Sequence, residues 1–311
     1  MSKKIRIITH NGKFHADDVC AVAVVRMWLE KFGEKTIFGK TKIEILRTRD
    51  LTLIKEGDFA VDVGGIYNPE KMRFDHHQNG LGKRPNGIPY VAFGLVWETY
   101  GEKICESRAV AIEIDEKIIQ SIDALDNGQE IYTSLIAEMH PYLFADAIDA
   151  FNFLRQKNGE TLDKNFLEAV NFARKILERE VAKMRLEIEE RKLVEEIYRQ
   201  TEDKRIIIFD EYYSDCAWQK TLRQHAESLF IVRQSRENGD WRVQAIGKKS
   251  GSFENRRDLP ADWAGKTGAE LAKITGVADA VFCHGGLFVA VAKSKAGALA
   301  LARLAVNSAI A

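Results

Sequence analysis

Short β-branched runs and helix-spaced apolar positions alternate through the first 150 residues. Ile5–Thr9 reads as a strand that ends at His10, and Ile43–Leu46 and Phe59–Val63 are further short apolar runs bounded by polar residues and glycine. Between the first two, Asp17–Phe32 carries Val19, Ala23, Val24, Met27 and Trp28 at helical spacing. Two acids open it and Gly33 follows it, the marks of a helix start and stop. After a glycine-rich stretch from Gly80 to Gly87, Tyr90–Tyr100 and Ser107–Leu125 keep the helical period. Strands alternating with helices predict a mainly parallel α/β sheet.

The pattern then changes. Tyr142–Gln200 is helical almost throughout, and its last part, Lys164–Gln200, holds no glycine or proline. Glu, Lys and Arg crowd that part, with pairs such as Glu187 and Arg191 one turn apart, so a solvated helix face is expected. The same stretch could also serve as a linker or a dimer-forming helix. Beyond it, Arg205–Asp210, Leu229–Gln234, Trp241–Ile246, Ala280–Cys283 and Leu287–Ala292 read as strands, and Asp262–Ile274 and Ser294–Asn307 as helices. The expected fold is α/β, with two α/β lobes joined by a long helical segment. The expected domains are 1–140, a helical connector 141–203, and 204–311, with a ligand cleft between lobes.

Composition narrows the class. A chain of 311 residues has length for two domains, each with its own core. Hydrophobic content of 45% and charged content of 30% exclude a mainly disordered, collagen-like or disulfide-stapled chain. The 46 basic and 46 acidic side chains cancel, which argues against coating nucleic acid by bulk charge. They are unevenly spread: 19 Lys and Arg against 23 Asp and Glu in residues 1–150, and 27 against 23 in residues 151–311. Cys20, Cys105, Cys216 and Cys283 form no CxxC pair, which points to a reducing compartment. The N-terminus enters a strand directly, without a signal-peptide core, and no run approaches 18 apolar residues. A soluble, cytoplasmic protein without a membrane partner is expected.

The candidate chemistry is concentrated early. Four of the seven histidines fall within the first 77 residues, in Thr9-His10-Asn11-Gly12-Lys13-Phe14-His15-Ala16-Asp17-Asp18 and in Phe74-Asp75-His76-His77. Asp62 ends the apolar run Phe59–Val61, and Asp123 and Asp126 lie at the end of a helix pattern, where either could also be a cap or turn residue. Residues just past the carboxyl ends of parallel strands converge on one crevice, so His10, His15, Asp17, Asp62 and His76 can meet there. Mixed imidazole and carboxylate ligands suit Mn²⁺, with Mg²⁺, Co²⁺ or Zn²⁺ as alternatives. The set is larger than one ion needs and fits two ions sharing a carboxylate.

These motifs resemble the DHH phosphoesterase superfamily, which includes RecJ-type exonucleases, oligoribonucleases and manganese pyrophosphatases. A closer resemblance is to the Myg (melanocyte proliferating gene) family of metal-dependent hydrolases. It rests on the two histidine motifs, Val61-Asp62-Val63-Gly64-Gly65, Asn86-Gly87-Ile88-Pro89-Tyr90, Ile122-Asp123-Ala124-Leu125-Asp126-Asn127-Gly128 and Leu259-Pro260 with Trp263. The opening motif departs from the superfamily pattern by one residue, with His15 in place of the first Asp. Phe282-Cys283-His284-Gly285-Gly286 only loosely echoes the superfamily's glycine-rich substrate motif.

The resemblance implies that residues 1–140 are a metal-binding catalytic domain and 204–311 a substrate-binding one. His10, His15 and Asp17 would hold the ions, Asp62 would bridge them, His76 would complete a coordination sphere, and Asp123 or Asp126 would add the last carboxylate. Asp75 would orient His76, and His77 would face the substrate phosphate. An anionic substrate calls for cations in the second lobe: Arg256, Arg257, His284, Lys293 and Lys295 are the candidates. Trp218, Trp241 and Trp263 are candidate base-stacking residues, with core packing the alternative for the last two. The implied activity is a two-metal phosphodiesterase, a 3′→5′ exonuclease on RNA or short oligonucleotides. The alternatives are hydrolysis of a small phosphoanhydride or dinucleotide, or a non-catalytic metal-containing binding module.

Overall fold

The computed structural model describes residues 4–33, 42–152, 159–252 and 254–308, so residues 153–158 of the expected connector lie outside the described residues. The chain forms two units, Met1–Arg185 and Leu186–Ala311.

The first unit is built on a five-stranded sheet of β1 (Lys4–Thr9), β2 (Lys42–Arg47), β3 (Phe59–Val61), β4 (Tyr67–Asn68) and β5 (Arg73–Phe74), in the order β2-β1-β3-β5-β4. Strands β2 and β3 flank β1 in parallel, β5 runs parallel to β3, and β4 alone is antiparallel. Ile5, Ile7, Ile8, Phe59, Val61 and Phe74 are buried. Helix α1 (Ala16–Phe32) is buried without a break from Asp17 to Val25, which is why its sequence is apolar on nearly every side. It packs against α3 (Ala92–Cys105), while a short α2 (Leu51–Glu56) is capped by the Asp50 carboxylate accepting from Thr52 and Leu53 N–H.

The helix expected over Ser107–Leu125 is α4 (Arg108–Ile114), a π-helical segment at Asp115–Ile119 and α5 (Gln120–Asp126). A short α6 (Phe144–Asp149) precedes α7 (Gly159–Gln200), a 42-residue helix. In the first unit α7 buries Phe166, Ala169, Val170, Ala173, Leu177, Val181 and Met184 at helical spacing and keeps charge on its other side.

The second unit has β6 (Ile206–Phe209), β7 (Phe230–Gln234), β8 (Trp241–Ala245), β9 (Ala280–Cys283) and β10 (Val289–Ala292), ordered β6-β7-β8-β10-β9. Only β6 and β7 are parallel. Phe230, Val232, Val243, Ala290 and Ala292 pack with Leu271 of α9 (Gly268–Thr275) and with Ala298 and Leu301 of α10 (Lys295–Asn307). Ile207, Phe209 and Ile231 pack with Trp218 and Leu222 of α8 (Asp215–Leu222), a helix not anticipated from the pattern, and with Val194 of α7. The helix expected from Asp262 begins only at Gly268. A 3₁₀ turn at Ala261–Trp263 and Gly265 in the left-handed region (φ 69°) interrupt it. Among the described residues no helix is long and apolar enough to cross a membrane.

Candidate metal centre

Three parallel neighbours, β1, β3 and β5, end on the same side of the first sheet and deliver His10, Asp62 and Asp75-His76-His77 from their carboxyl ends. The strand expected to run to Val63 stops at Val61, because Asp62 adopts φ 54°. That left-handed conformation is rare outside glycine and is best tolerated by Asn and Asp. Asp62 Oδ2 lies 3.4 Å from His10 Nε2, and Asp62 Oδ1 lies 3.3 Å from His76 Nε2 and 3.4 Å from His77 Nδ1.

The start of α1 supplies two further acids. Asp18 Oδ1 accepts from the His15 N–H at 2.8 Å, a local cap, while its Oδ2 lies 3.2 Å from His10 Nε2. Asp17 accepts from Ala92 N–H at 3.2 Å and Phe93 N–H at 2.6 Å, so the unsatisfied amide groups at the start of α3 hold its carboxylate. Its Oδ2 is 3.9 Å from His76 Nε2, and Asp126 Oδ2 is 3.8 Å from the same atom. Two triads, Asp62–His76–His77 and Asp17–His76–Asp126, each keep their ligating atoms within 4.8 Å of one another, and His76 belongs to both.

Electrostatics makes this cluster costly on its own. Burial drives the Asp17 carboxyl well above its ordinary range, and the charges of Asp62 and Asp126 push it further. Asp18 is raised by burial to about 7 despite His10 beside it. Burial also raises Asp126, against the pull of His76. Asp62 goes the other way: burial alone would raise it, but His10 and His76 beside it outweigh that and bring it to about 2. Both imidazoles are raised, burial opposing and the Asp62 carboxylate prevailing. Asp18 Oδ2 and Asp62 Oδ1 are buried and complete no hydrogen bond among the described residues. Buried carboxylate oxygens facing imidazole nitrogens 3.2–3.4 Å away, with no hydrogen bond completed among the described residues, suit divalent cations. The residues fit metal.

The profile described as "Uncharacterised protein family (UPF0160)", labelled MYG1 exonuclease, matches residues 6–306. The chain belongs to the MYG1 exonuclease family. As a member it is a hydrolase. A Dictyostelium discoideum MYG1 protein is 30% identical, over 97% of this chain and 97% of its own length. The human MYG1 exonuclease is 28% identical, over 96% of this chain and 85% of its own. Among solved structures, RecJ in complex with Mn²⁺ from Thermus thermophilus aligns at 13% identity and a TM-score of 0.29. The alignment covers 98% of this chain and 52% of RecJ, so the chain spans about half the length of that protein.

Several residues of the MYG1 motifs sit differently from expectation. Asp75 orients His77 rather than His76: its Oδ1 lies 2.8 Å from His77 Nδ1 and accepts the His77 N–H at 3.0 Å, while Oδ2 accepts from Gly65 N–H at 2.5 Å. A short acid two residues before the ring reaches both groups in one local turn. Asp123 is fully buried and paired with Arg84, and burial, offset by Arg84, raises its carboxyl to about 7. His15 is exposed, its ring 5.9 Å from the His10 ring and outside both triads. Asp18 and Arg84 were missed as site residues. For Asp18 the one available signal was its place at the first turn of α1, which a cap alone accounts for.

The second-unit candidates are spread over several tasks. Arg256 donates to the backbone carbonyls of Leu222, Arg223, His225 and Ser228, which makes it a structural tie rather than a free cation. Arg257 donates to the Ser308 carbonyl, and Lys295 pairs with Asp210 while lying 5.5 Å from the Trp241 ring centroid. His284 is exposed, its Nδ1 accepting the Gly286 N–H at 2.9 Å, and Lys293 is exposed. Trp218 and Trp263 are core residues, and Trp241 is half-buried.

Proposed function

We propose that this MYG1 family member is a metal-dependent phosphodiesterase that removes nucleotides 3′→5′ from RNA or short oligonucleotides, using two divalent ions with Mn²⁺ preferred. The observation that carries this reading is the buried cluster around His76 and Asp62: Asp17, His76 and Asp126 form one triad, and Asp62 faces His10 and His76 with an oxygen that completes no hydrogen bond among the described residues. Asp17, His76 and Asp126 would hold one ion, and Asp62, His10 and Asp18 the other, with Asp62 bridging. RNA and the 3′→5′ direction rest on the family resemblance.

Two divalent ions supply positive charge to a phosphoryl oxygen and lower the pKa of water at neutral pH. The chain's own residues prepare the rest. The start of α3 fixes Asp17, and the Asp75 carboxylate fixes the His77 ring. With Nδ1 engaged by Asp75, His77 presents Nε2 to the substrate. Its side chain is 65% exposed, against 14% for His76, which suits contact with substrate rather than burial behind a metal. The four cysteines are free, which agrees with a reducing location such as the cytoplasm.

The test is a nuclease panel of RNA and DNA labelled at the 3′ or 5′ end, with Mn²⁺, Mg²⁺ or chelator, beside His76→Ala. The expected result is metal-dependent release of the 3′-terminal nucleotide first, from RNA before DNA, and none from the variant. Intact RNA with phosphate released from pyrophosphate would replace the reading with a phosphoanhydride hydrolase.

A further inference from the structure

Arg84 is 6% exposed and lies between two carboxylates, yet no motif pointed to it. Its Nη1 donates to Asp123 Oδ2, its Nη2 donates to Asp115 Oδ1 at 3.0 Å, and the Tyr90 ring centroid lies 4.1 Å from its Cζ. Asp123 sits on α5 and Asp115 begins the π segment. Eight residues of α-helix would put these two acids about 80° apart around the axis; the extra residue of a π turn reduces that to about 20°. The π segment therefore presents both carboxylates to one guanidinium. Gly94 of α3 makes room: a Cβ there would overlap the Asp123 carboxylate and lie 2.8 Å from Arg84 Nη2.

The segment that carries Arg84 follows His76 and His77, and it is fastened to α5 at further points. Asn86 Nδ2 donates to Gln120 Oε1 at 2.7 Å, and Asn127 Nδ2 donates to the Asp123 carbonyl at 2.8 Å and the Pro89 carbonyl at 3.4 Å. The ion-pair fork thus joins the loop of His76 to the helix of Asp126, the two side chains whose nearest atoms are 3.8 Å apart at the metal centre.

We propose that Arg84 is a positioning residue of the metal centre: by engaging Asp123 and Asp115 together it withholds Asp123 from the ions and fixes the last turn of α5 so that Asp126 faces them. This rests on the metal-centre reading above. Without the guanidinium, a buried carboxylate one turn from Asp126 is left unpaired beside the metal centre and disturbs the last turn of α5, while the Asn86 and Asn127 contacts still hold α5 to the His76 loop.

The test is Mn²⁺ affinity of full-length protein, read by electron paramagnetic resonance titration, for wild type, Arg84→Gln, Asp123→Asn, Asp126→Asn and the double variant Arg84→Gln with Asp123→Asn, each checked by circular dichroism. Arg84→Gln is expected to weaken Mn²⁺ binding about tenfold or more, and removing the orphaned charge in the double variant to restore it to within about threefold. Asp123→Asn keeps tight binding, whereas Asp126→Asn loses it about a hundredfold. Where Arg84→Gln does not fold, Arg84→Lys takes its place: a cation that can pair with one of the two carboxylates but not both, expected to weaken Mn²⁺ binding by a smaller factor than Arg84→Gln, with unchanged affinity overturning the proposal. A merely structural Arg84 would lower thermal stability without moving Mn²⁺ affinity, and that result, a double variant no better than the single, or loss of binding in Asp123→Asn, overturns the proposal. If wild type itself binds no Mn²⁺, the metal-centre reading falls and this inference with it; tight wild-type binding with an unresponsive Arg84 series overturns the inference alone.

Discussion

Metal-free protein should lose stability as pH rises from 5.5 to 8, and Mn²⁺ should reverse the part of the loss that comes from the acids of the metal centre. Asp18 and Asp123, ordinary carboxyls in the unfolded chain, titrate near 7 in the fold, chiefly because of burial. A carboxyl whose pKa is raised on folding stabilises fully below its unfolded value near 4, and that contribution is lost as pH climbs through the folded value. At 1.36 kcal/mol per pH unit the full loss is roughly 4 kcal/mol for each, about half of it between pH 5.5 and 8.

Two such groups give a fall of about 4 kcal/mol over that range, or about 10 °C in Tm for a protein of this size. Asp17 and Asp126, also raised, act in the same direction. So do His10 and His76, whose raised values give stability below about 6.5 that is lost as they deprotonate. Asp62, lowered to about 2, weakens the fold only in acid, as pH falls from about 4 towards 2, and is silent in this window. The assay is thermal unfolding of chelator-treated protein from pH 5.5 to 8, repeated in 1 mM MnCl₂ (about the concentration at which a micromolar site is saturated). A Tm flat or rising with pH in the metal-free protein would refute the electrostatic reasoning. A Mn²⁺ gain no larger at pH 8 than at 5.5 would refute the assignment of Asp17, Asp18 and Asp126 to metal, since protons and ions compete for them.

Other outcomes follow from single contacts. Asp62→Asn should abolish hydrolysis and weaken Mn²⁺ binding at least about a hundredfold with the circular dichroism spectrum unchanged, because it removes the carboxylate that faces both His10 and His76. Asp75→Ala frees the His77 ring and should lower kcat about 10- to 100-fold with Mn²⁺ affinity held within about threefold, measured by steady-state kinetics beside metal titration. Gly94→Ala should destabilise the fold by about 1–3 kcal/mol in urea denaturation, since its methyl group must displace the Asp123–Arg84 pair.

Local pattern and strand-end chemistry determine much of this protein from its sequence alone. The period-2 and period-3.6 signals located β1, α1, α3, α7, β7, β8 and α10, because each presents a long face to a core. Two-residue strands such as β4 and β5 carry no readable period, and α8 is too short and polar at its start to stand out. His10, Asp17, Asp62 and His76 were legible as a group because parallel strands deliver their C-terminal residues to one edge.

Partner choice within that group was a matter of tertiary structure alone. Asp123 and Asp126 are three residues apart on one helix, and folding gives Asp123 to Arg84, from a loop 39 residues earlier, while Asp126 faces His76. Asp75 could have served either neighbouring histidine, and the turn geometry gave it to His77. Likewise Arg256 reads as a free cation in sequence, until folding surrounds it with four backbone carbonyls. Sequence determines which chemical groups are available and which faces must be buried; which charge neutralises which is set by distances of a few ångströms between residues far apart in the chain, and those exist only in the folded molecule.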